Sequence, residues 1–101
     1  MNGLESIAEE RIRQYVVEGF GPEHDNEHIN NEMVRAAVCY AFMGMHTQQL
    51  TELKYTLECW PFSEEWLKVN TGKGGMRRNL VKAGALLAAE IDRLDRIERM
   101  G

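Results

Sequence analysis

The residues best equipped for chemistry in this chain fall into three clusters. The first is Glu23-His24-Asp25-Asn26-Glu27-His28, three acids and two histidines in six positions, with Glu32 four residues beyond. Imidazole nitrogens and carboxylate oxygens hold ions of the zinc or manganese type. His24, Asp25, His28 and Glu32 are therefore a candidate metal set. If a helix begins early, His28 and Glu32 lie one turn apart on one face. A second reading of the same residues needs no ion: acids at a helix entrance favour its dipole, and the histidines hydrogen-bond to neighbouring segments.

The second cluster is Arg77, Arg78, Asn79 and Lys82 at the start of the last helical stretch. Helix N-termini bind phosphates and carboxylates, and arginine forks add bidentate geometry. Trp60 and Trp66 stand just upstream and offer rings on which a base could stack. Arg77, Arg78, Lys82, Trp60 and Trp66 are thus candidates for a small anionic ligand. The alternative is a clamp, with Arg77 and Arg78 reaching back to the acidic connector. The third cluster is dispersed: Glu9, Glu10, Glu32, Glu90 and Asp92 could hold magnesium on a nucleotide. Helical nucleoside triphosphate pyrophosphatases work in this way, but their paired carboxylates one turn apart are not matched by Glu64-Glu65 or by Glu90 with Asp92. Asn70 to Gly75, "NTGKGG", lacks the GxxxxGK[ST] pattern and the preceding strand of a phosphate loop. Ser6 and Ser63 read as helix caps, and neither Cys39 nor Cys59 has a histidine partner, so nucleophilic catalysis finds little support. Both cysteines read as reduced packing residues, since they form no CxxC motif.

These side chains must be positioned by helices. Only two prolines interrupt a chain of 101 residues, 44% hydrophobic and 28% charged, which suits a single all-α domain. Leu4, Ile7, Ala8, Ile12, Tyr15 and Val16 recur at helical spacing and predict a buried stripe on the first helix. Ser6 with Glu9 has capping-box spacing. Glu9, Glu10, Arg13 and Gln14 fall mainly on the opposite face. Phe20 to His28 reads as a polar connector. A second helix, capped by Asn30 or Asn31, runs through Met33 to Met43 and is apolar almost all round, which predicts the central element. Thr47 to Cys59 fits a short helix, and Ser63 to Trp66 one further turn. The last helix spans about Met76 to Arg99. Leu80, Ala83, Gly84, Leu87, Ile91 and Leu94 predict its buried stripe, with Gly84 marking a close helix contact. The expected architecture is three main helices plus one or two short ones.

The net charge of −4 conceals an asymmetry. Glu18, Glu23, Asp25, Glu27 and Glu32 form a stretch free of Lys and Arg. Trp66 to Ala89 carries Lys68, Lys73, Arg77, Arg78 and Lys82 and no acid. The two blocks either face each other or serve partners: Glu18, Glu23, Asp25 and Glu27 are candidates to meet a basic protein surface. The acidic balance and short basic stripe argue against direct nucleic-acid binding. No apolar run approaches the length of a membrane span. The acidic N-terminus lacks the basic region of a signal peptide, which makes the cytoplasm the expected location.

The segments "AEERIRQ", "EGFGPEHDNEH", "WPF…EEW" and "RRNLVKAGALLAAEIDRLDR" occur in this order. Together they resemble a family of small phage and prophage proteins with an EGW-TPEHDD-H motif, a WPW motif and an RR-LVKAGAL-AEIERLD helix. The resemblance covers most of the chain. Phe20 stands where Trp is usual and Asn26 where a second Asp is usual, and Met45 to Glu58 diverges. The resemblance implies a non-catalytic accessory protein of the bacterial host cell. Its implied partner is a host protein or protein complex, and its implied role is inhibition of host defence or regulation. No cofactor is implied; magnesium belongs to the alternative, a protein that binds or hydrolyses nucleotides.

Overall fold

In a computed structural model, which describes residues 1–45 and 58–100, every regular element among those residues is helical. Helix α1 spans Gly3–Val16, α2 Pro22–Glu27, α3 Glu32–Met43 and α4 Gly75–Met100, with a 3₁₀ turn at Glu64–Trp66. The all-α expectation holds. The polar connector is itself partly helical, because Pro22 sits at the first position of α2, where its fixed φ and missing N–H suit a helix start. The short helix expected over Thr47 to Cys59 lies almost wholly outside the described residues.

The cap of α1 differs from the expected one. Asn2 is the N-cap: its Oδ1 accepts from the Glu5 amide at 2.9 Å, and Glu5 Oε1 accepts from the Asn2 amide at 3.1 Å. This reciprocal pair satisfies two donors that a helix start leaves open. Ser6 is then free for another task and lies buried. Before α4, Gly72 and Gly74 take φ of +75° and +79°, a left-handed conformation that glycine adopts without strain. "NTGKGG" is therefore the tight turn that starts α4. Asn79 fixes it: its Oδ1 accepts from the Asn70 amide, and its Nδ2 donates to the Asn70 and Met43 carbonyls at 3.0 Å.

The core joins α3 to α4. Met33, Ala36, Ala37, Cys39 and Tyr40 of α3 meet Ala83, Leu86 and Ala89 of α4, with Trp60 closing one side. Alanines on both helices let the backbones approach closely. Cys39 is buried there, which pushes its thiol up to about 11, and neither it nor Cys59 forms a disulfide.

The expected buried stripes of α1 and α4 are largely inverted, although Ala83 of the α4 stripe is buried in the core as expected. On α4, Leu80, Leu87, Ile91 and Leu94 are 44–58% exposed, whereas Asn79, Lys82, Glu90 and Arg93 are buried. On α1, Leu4, Ile12, Tyr15 and Val16 are exposed, whereas Ser6, Glu10 and Gln14 are buried. The reason is pairing. Ser6 and Glu10 accept from Arg77 and Arg78 across the α1–α4 seam, Asn79 and Lys82 are held by the Asn70 turn and its neighbours, and Glu90 pairs with Arg93, so these faces can pack inward without stranding a charge. Of the expected α1 stripe, Ile7 does reach α4: a Cβ on Gly84 would lie 2.6 Å from its Cδ1. Gly84 does mark a close helix contact.

Candidate functional site

The buried face of α1 delivers Glu10, Arg13 and Gln14 to one side of a cavity of about 330 Å³. Tyr40 of α3 and Lys82 and Leu86 of α4 form the floor, and Trp60, Phe62, Trp66 and Lys68 come from the chain between α3 and α4. Glu18, Phe20 and His24 complete the rim. This volume falls at the lower end of small-molecule sites, roughly 300–1,000 Å³.

Glu10 anchors the polar wall and is 1% exposed. Its Oε1 accepts from Arg13 Nε at 2.7 Å and from Arg78 Nη2 at 2.5 Å. Its Oε2 accepts from Arg13 Nη2 at 3.0 Å and Gln14 Nε2 at 3.1 Å. Burial by itself pushes the Glu10 carboxyl up, but the hydrogen bonds from Arg13 and Arg78 outweigh it and hold the group below the usual carboxylate range. Arg13 Nη1 also donates to Glu18 Oε1 at 3.0 Å, which lowers Glu18 as well. Lys82 donates to the Lys68 carbonyl at 2.7 Å and Asn70 Oδ1 at 2.6 Å, and lies 5.4 Å from the centre of the Tyr40 ring. Burial, followed by the charge of Arg78, holds its pKa below the ordinary lysine value.

The opposite wall is an arc of rings. Phe20 stacks on His24 at 4.4 Å between centroids, His24 meets His28 edge-on at 4.5 Å, and His28 meets Phe62 at 5.1 Å. Phe62 and Tyr40 each meet Trp60 edge-to-face, at 5.5 and 5.6 Å. Trp60 Nε1 donates to the Ser63 carbonyl at 3.0 Å, which fixes the indole plane. One acceptor in the wall is unspent. Gln14 is 4% exposed, and its Oε1 is buried with no hydrogen-bond partner. A buried acceptor left unmade carries a cost of about 1–3 kcal/mol, and here it belongs to a side chain that lines the cavity.

The sequence-predicted residues scatter around this site. Trp60, Trp66 and Lys82 line it, together with Glu18 and His24. Arg77 and Arg78 do not, nor do they clamp the acidic connector. Arg77 Nη2 donates to Ser6 Oγ at 2.7 Å and to the Met1 carbonyl at 3.3 Å, and Arg78 binds Glu10. The connector is held by other cations: Arg11 on Asp25 at 3.2 Å, Arg96 on Asn26, and Lys68 beside Glu18 at 3.5 Å. Of the proposed partner-facing acids, Glu23 and Glu27 are exposed, but Asp25 is fully buried between Arg11 and His24 Nδ1.

The metal candidates form a chain, with no common focus. His24 Nδ1 lies 3.1 Å from Asp25 Oδ1, its Nε2 lies 3.1 Å from His28 Nε2, and His28 Nδ1 lies 3.3 Å from Glu32 Oε2. Among the described residues no three metal-binding side chains converge on one point. The dispersed carboxylates do not gather either. Glu10 is spent on Arg13 and Arg78, Glu90 pairs with Arg93, and Asp92 lies exposed 3.9 Å from Arg11.

Glu10, Arg13 and Gln14 are not legible as site residues from periodicity, because the apolar stripe of α1 marks the opposite face as buried, and Tyr40 on α3 and Phe62 beside Trp60 carry no sequence signal of a cavity. A usable signal was present: Glu10 and Gln14 at four-residue spacing, with Arg13 between them, form a self-satisfying polar patch. Fold and site together define a small all-α protein with an aromatic-walled, charge-lined cavity. Set against protein-family models, curated proteins and solved structures, the chain has no match in any of the three.

Proposed function

We propose that this protein binds, without turning it over, a small ligand that joins a planar ring to an anionic group, of the nucleotide class. The observation that carries this reading is the cavity itself, with aromatic walls, an excess of cations, and Gln14, whose buried Oε1 has no partner, among its lining residues. A turn of the Gln14 amide would present this acceptor to a ligand N–H or O–H, and Trp60, Tyr40 and Phe62 supply ring faces and edges for a base. Arg13, Lys68 and Lys82 stand against Glu18 and Glu10 at the cavity wall, three cations to two carboxylates. That surplus favours an anion. Among the described residues no nucleophile–base pair lines the site, and its two acids are tied to arginine. In the accessory role that the family resemblance implies, binding without turnover would withdraw a nucleotide from use inside the host cell. The host-protein reading is less well supported, because Asp25 is consumed internally.

The test is a thermal-shift screen with nucleosides and mononucleotides, with and without magnesium. A ligand at 100 times its dissociation constant raises stability by about 2.7 kcal/mol. Gln14→Leu should leave the unliganded protein within about 1 kcal/mol of its starting stability, since it removes one bond to Glu10 and one stranded acceptor. The same variant should weaken the ligand roughly three- to tenfold. Flat melting curves across the panel would reject the reading.

A further inference from the structure

The unpartnered apolar stripe of α4 has the order and the charges of a self-complementary surface. Leu80, Leu87, Ile91 and Leu94 follow one another at steps of seven, four and three residues and are all about half exposed. At 3.6 residues per turn they form one ridge, about 21 Å long at 1.5 Å per residue. Gly84 lies in the same row and is covered by Ile7, so the ridge continues as apolar surface there.

The ends of the ridge differ in charge. Arg77 stands three residues before Leu80, and Glu98 stands four after Leu94, so each prolongs the stripe by about one turn. Both are exposed; Arg77 spends Nη2 on Ser6 and the Met1 carbonyl but its charge still marks the basic end, with Lys73 beyond it, as Asp95 lies beside Glu98 at the other end. A parallel pairing of two ridges would set Arg77 against Arg77 and Glu98 against Glu98. An antiparallel pairing sets base against acid at both ends and leucine against leucine between them.

We infer that α4 is the interface of a two-fold, antiparallel homodimer, crossing near Leu87 and Ile91. A C₂ contact of this type uses the same patch on both copies. Leu80 of one copy then approaches the partner's Leu94, and Arg77 approaches the partner's Glu98. The ligand cavity lies on the other side of α4, beside Lys82 and Leu86, so both cavities stay open.

Sedimentation equilibrium of the full chain should give twice its 11.6 kDa mass. Leu87→Arg should weaken self-association by about a hundredfold or more, because the two-fold places two such charges at its centre. Its circular dichroism should be unchanged, since Leu87 is exposed in the monomer. In a Cys59→Ser background, Leu87→Cys should form a disulfide-linked dimer on mild oxidation, whereas Leu80→Cys alone should not. Glu98→Arg should weaken the dimer, and adding Arg77→Glu should restore it. A wild-type monomer at all concentrations would overturn the inference, as would a dimer indifferent to Leu87→Arg. Disulfide linkage through Leu80→Cys alone would overturn the antiparallel arrangement.

Discussion

Helix α4 has two faces that reverse the usual rule. Its inner face buries four polar side chains, Asn79, Lys82, Glu90 and Arg93, among the apolar Val81, Ala83, Ala85, Leu86 and Ala89. Its outer face, Leu80, Leu87, Ile91 and Leu94, is apolar and half exposed. Helix α1 repeats the pattern with Ser6, Glu10 and Gln14 inside and Leu4, Ile12 and Val16 outside. The difference shows that hydrophobic burial alone does not orient these helices. Pairing of the buried charges, together with a core built from α3, decides which face turns inward, and the leftover apolar face becomes available for a partner.

The largest expected effect tests this directly. Glu10→Ala removes the acceptor of Arg13, Arg78 and Gln14 and should cost about 3 kcal/mol; breaking a buried pair costs about 3–5, less what two half-exposed arginines regain from water. Leu87→Ala, on the outer face, should cost less than about 1 kcal/mol in a sample dilute enough to be monomeric. Urea unfolding of both variants measures the contrast. The reverse ranking would mean that the outer face is covered in the monomer.

Acid should attack the inner face next. The Glu10 and Glu18 carboxyls both lie below their ordinary value of 4.5. Groups held low stabilise the fold fully above the unfolded value and lose that contribution as pH falls through the folded one. Stability should therefore hold down to about pH 4.5 and decline below it. Glu10→Gln should flatten that decline while lowering the plateau. An unchanged acid profile in Glu10→Gln would show that other carboxylates control it.

Much of the fold was legible in the sequence because it rests on local signals. The apolar run of α3 and the single turn at Glu64–Trp66 are short-range features, whereas Pro22, which reads as part of a connector, starts α2, and Ser63 makes no capping hydrogen bond. The aromatic side of the site was partly legible through Trp60 and Trp66. The polar side was not. Periodicity reports which residues share a face, but not whether that face meets solvent or a matched polar face on another helix. Glu10 and Arg78 are 68 residues apart and meet only when α1 docks on α4. The basic block meets the acidic stretch only through Lys68 and Glu18, while Arg11 and Arg96, which lie outside that block, hold Asp25 and Asn26, because charge order along the chain does not say which helices dock.

The seam between α1 and α4 offers a smaller test with a change of sign. Alanine at Gly84 should gain about 1 kcal/mol of helix propensity. Its Cβ would, however, lie 2.6 Å from Ile7 Cδ1 and 2.9 Å from Ile7 Cγ1, so Ile7 must leave its place. Gly84→Ala should then destabilise by about 1 kcal/mol net. In an Ile7→Ala background the same substitution should stabilise by up to about 1 kcal/mol. Thermal melts of the four proteins decide whether Gly84 is there for the contact.

The smallest expected effect concerns Asn26. Its Oδ1 accepts from Arg96 Nε at 3.3 Å and Nη2 at 2.9 Å on an exposed surface. Asn26→Asp would turn this contact into an ion pair, for which exposed geometry supports about 0.2–1 kcal/mol of coupling. The new charge would also stand among Glu23, Asp25 and Glu27, at the C-terminal end of α2 where the helix dipole disfavours anions. These terms oppose each other, so net stability should move by less than about 0.5 kcal/mol. The informative quantity is the double-mutant coupling with Arg96→Ala, which separates the pair from its surroundings. The coupling should be larger when the Asn26→Asp carboxylate faces Arg96 than when an Asn26→Ala cycle reports on the native amide, and only the former should shrink in high salt. Equal coupling in the two cycles would show that Arg96 anchors this loop by hydrogen-bond geometry alone, and that charge at this position plays no part in holding the connector against α4.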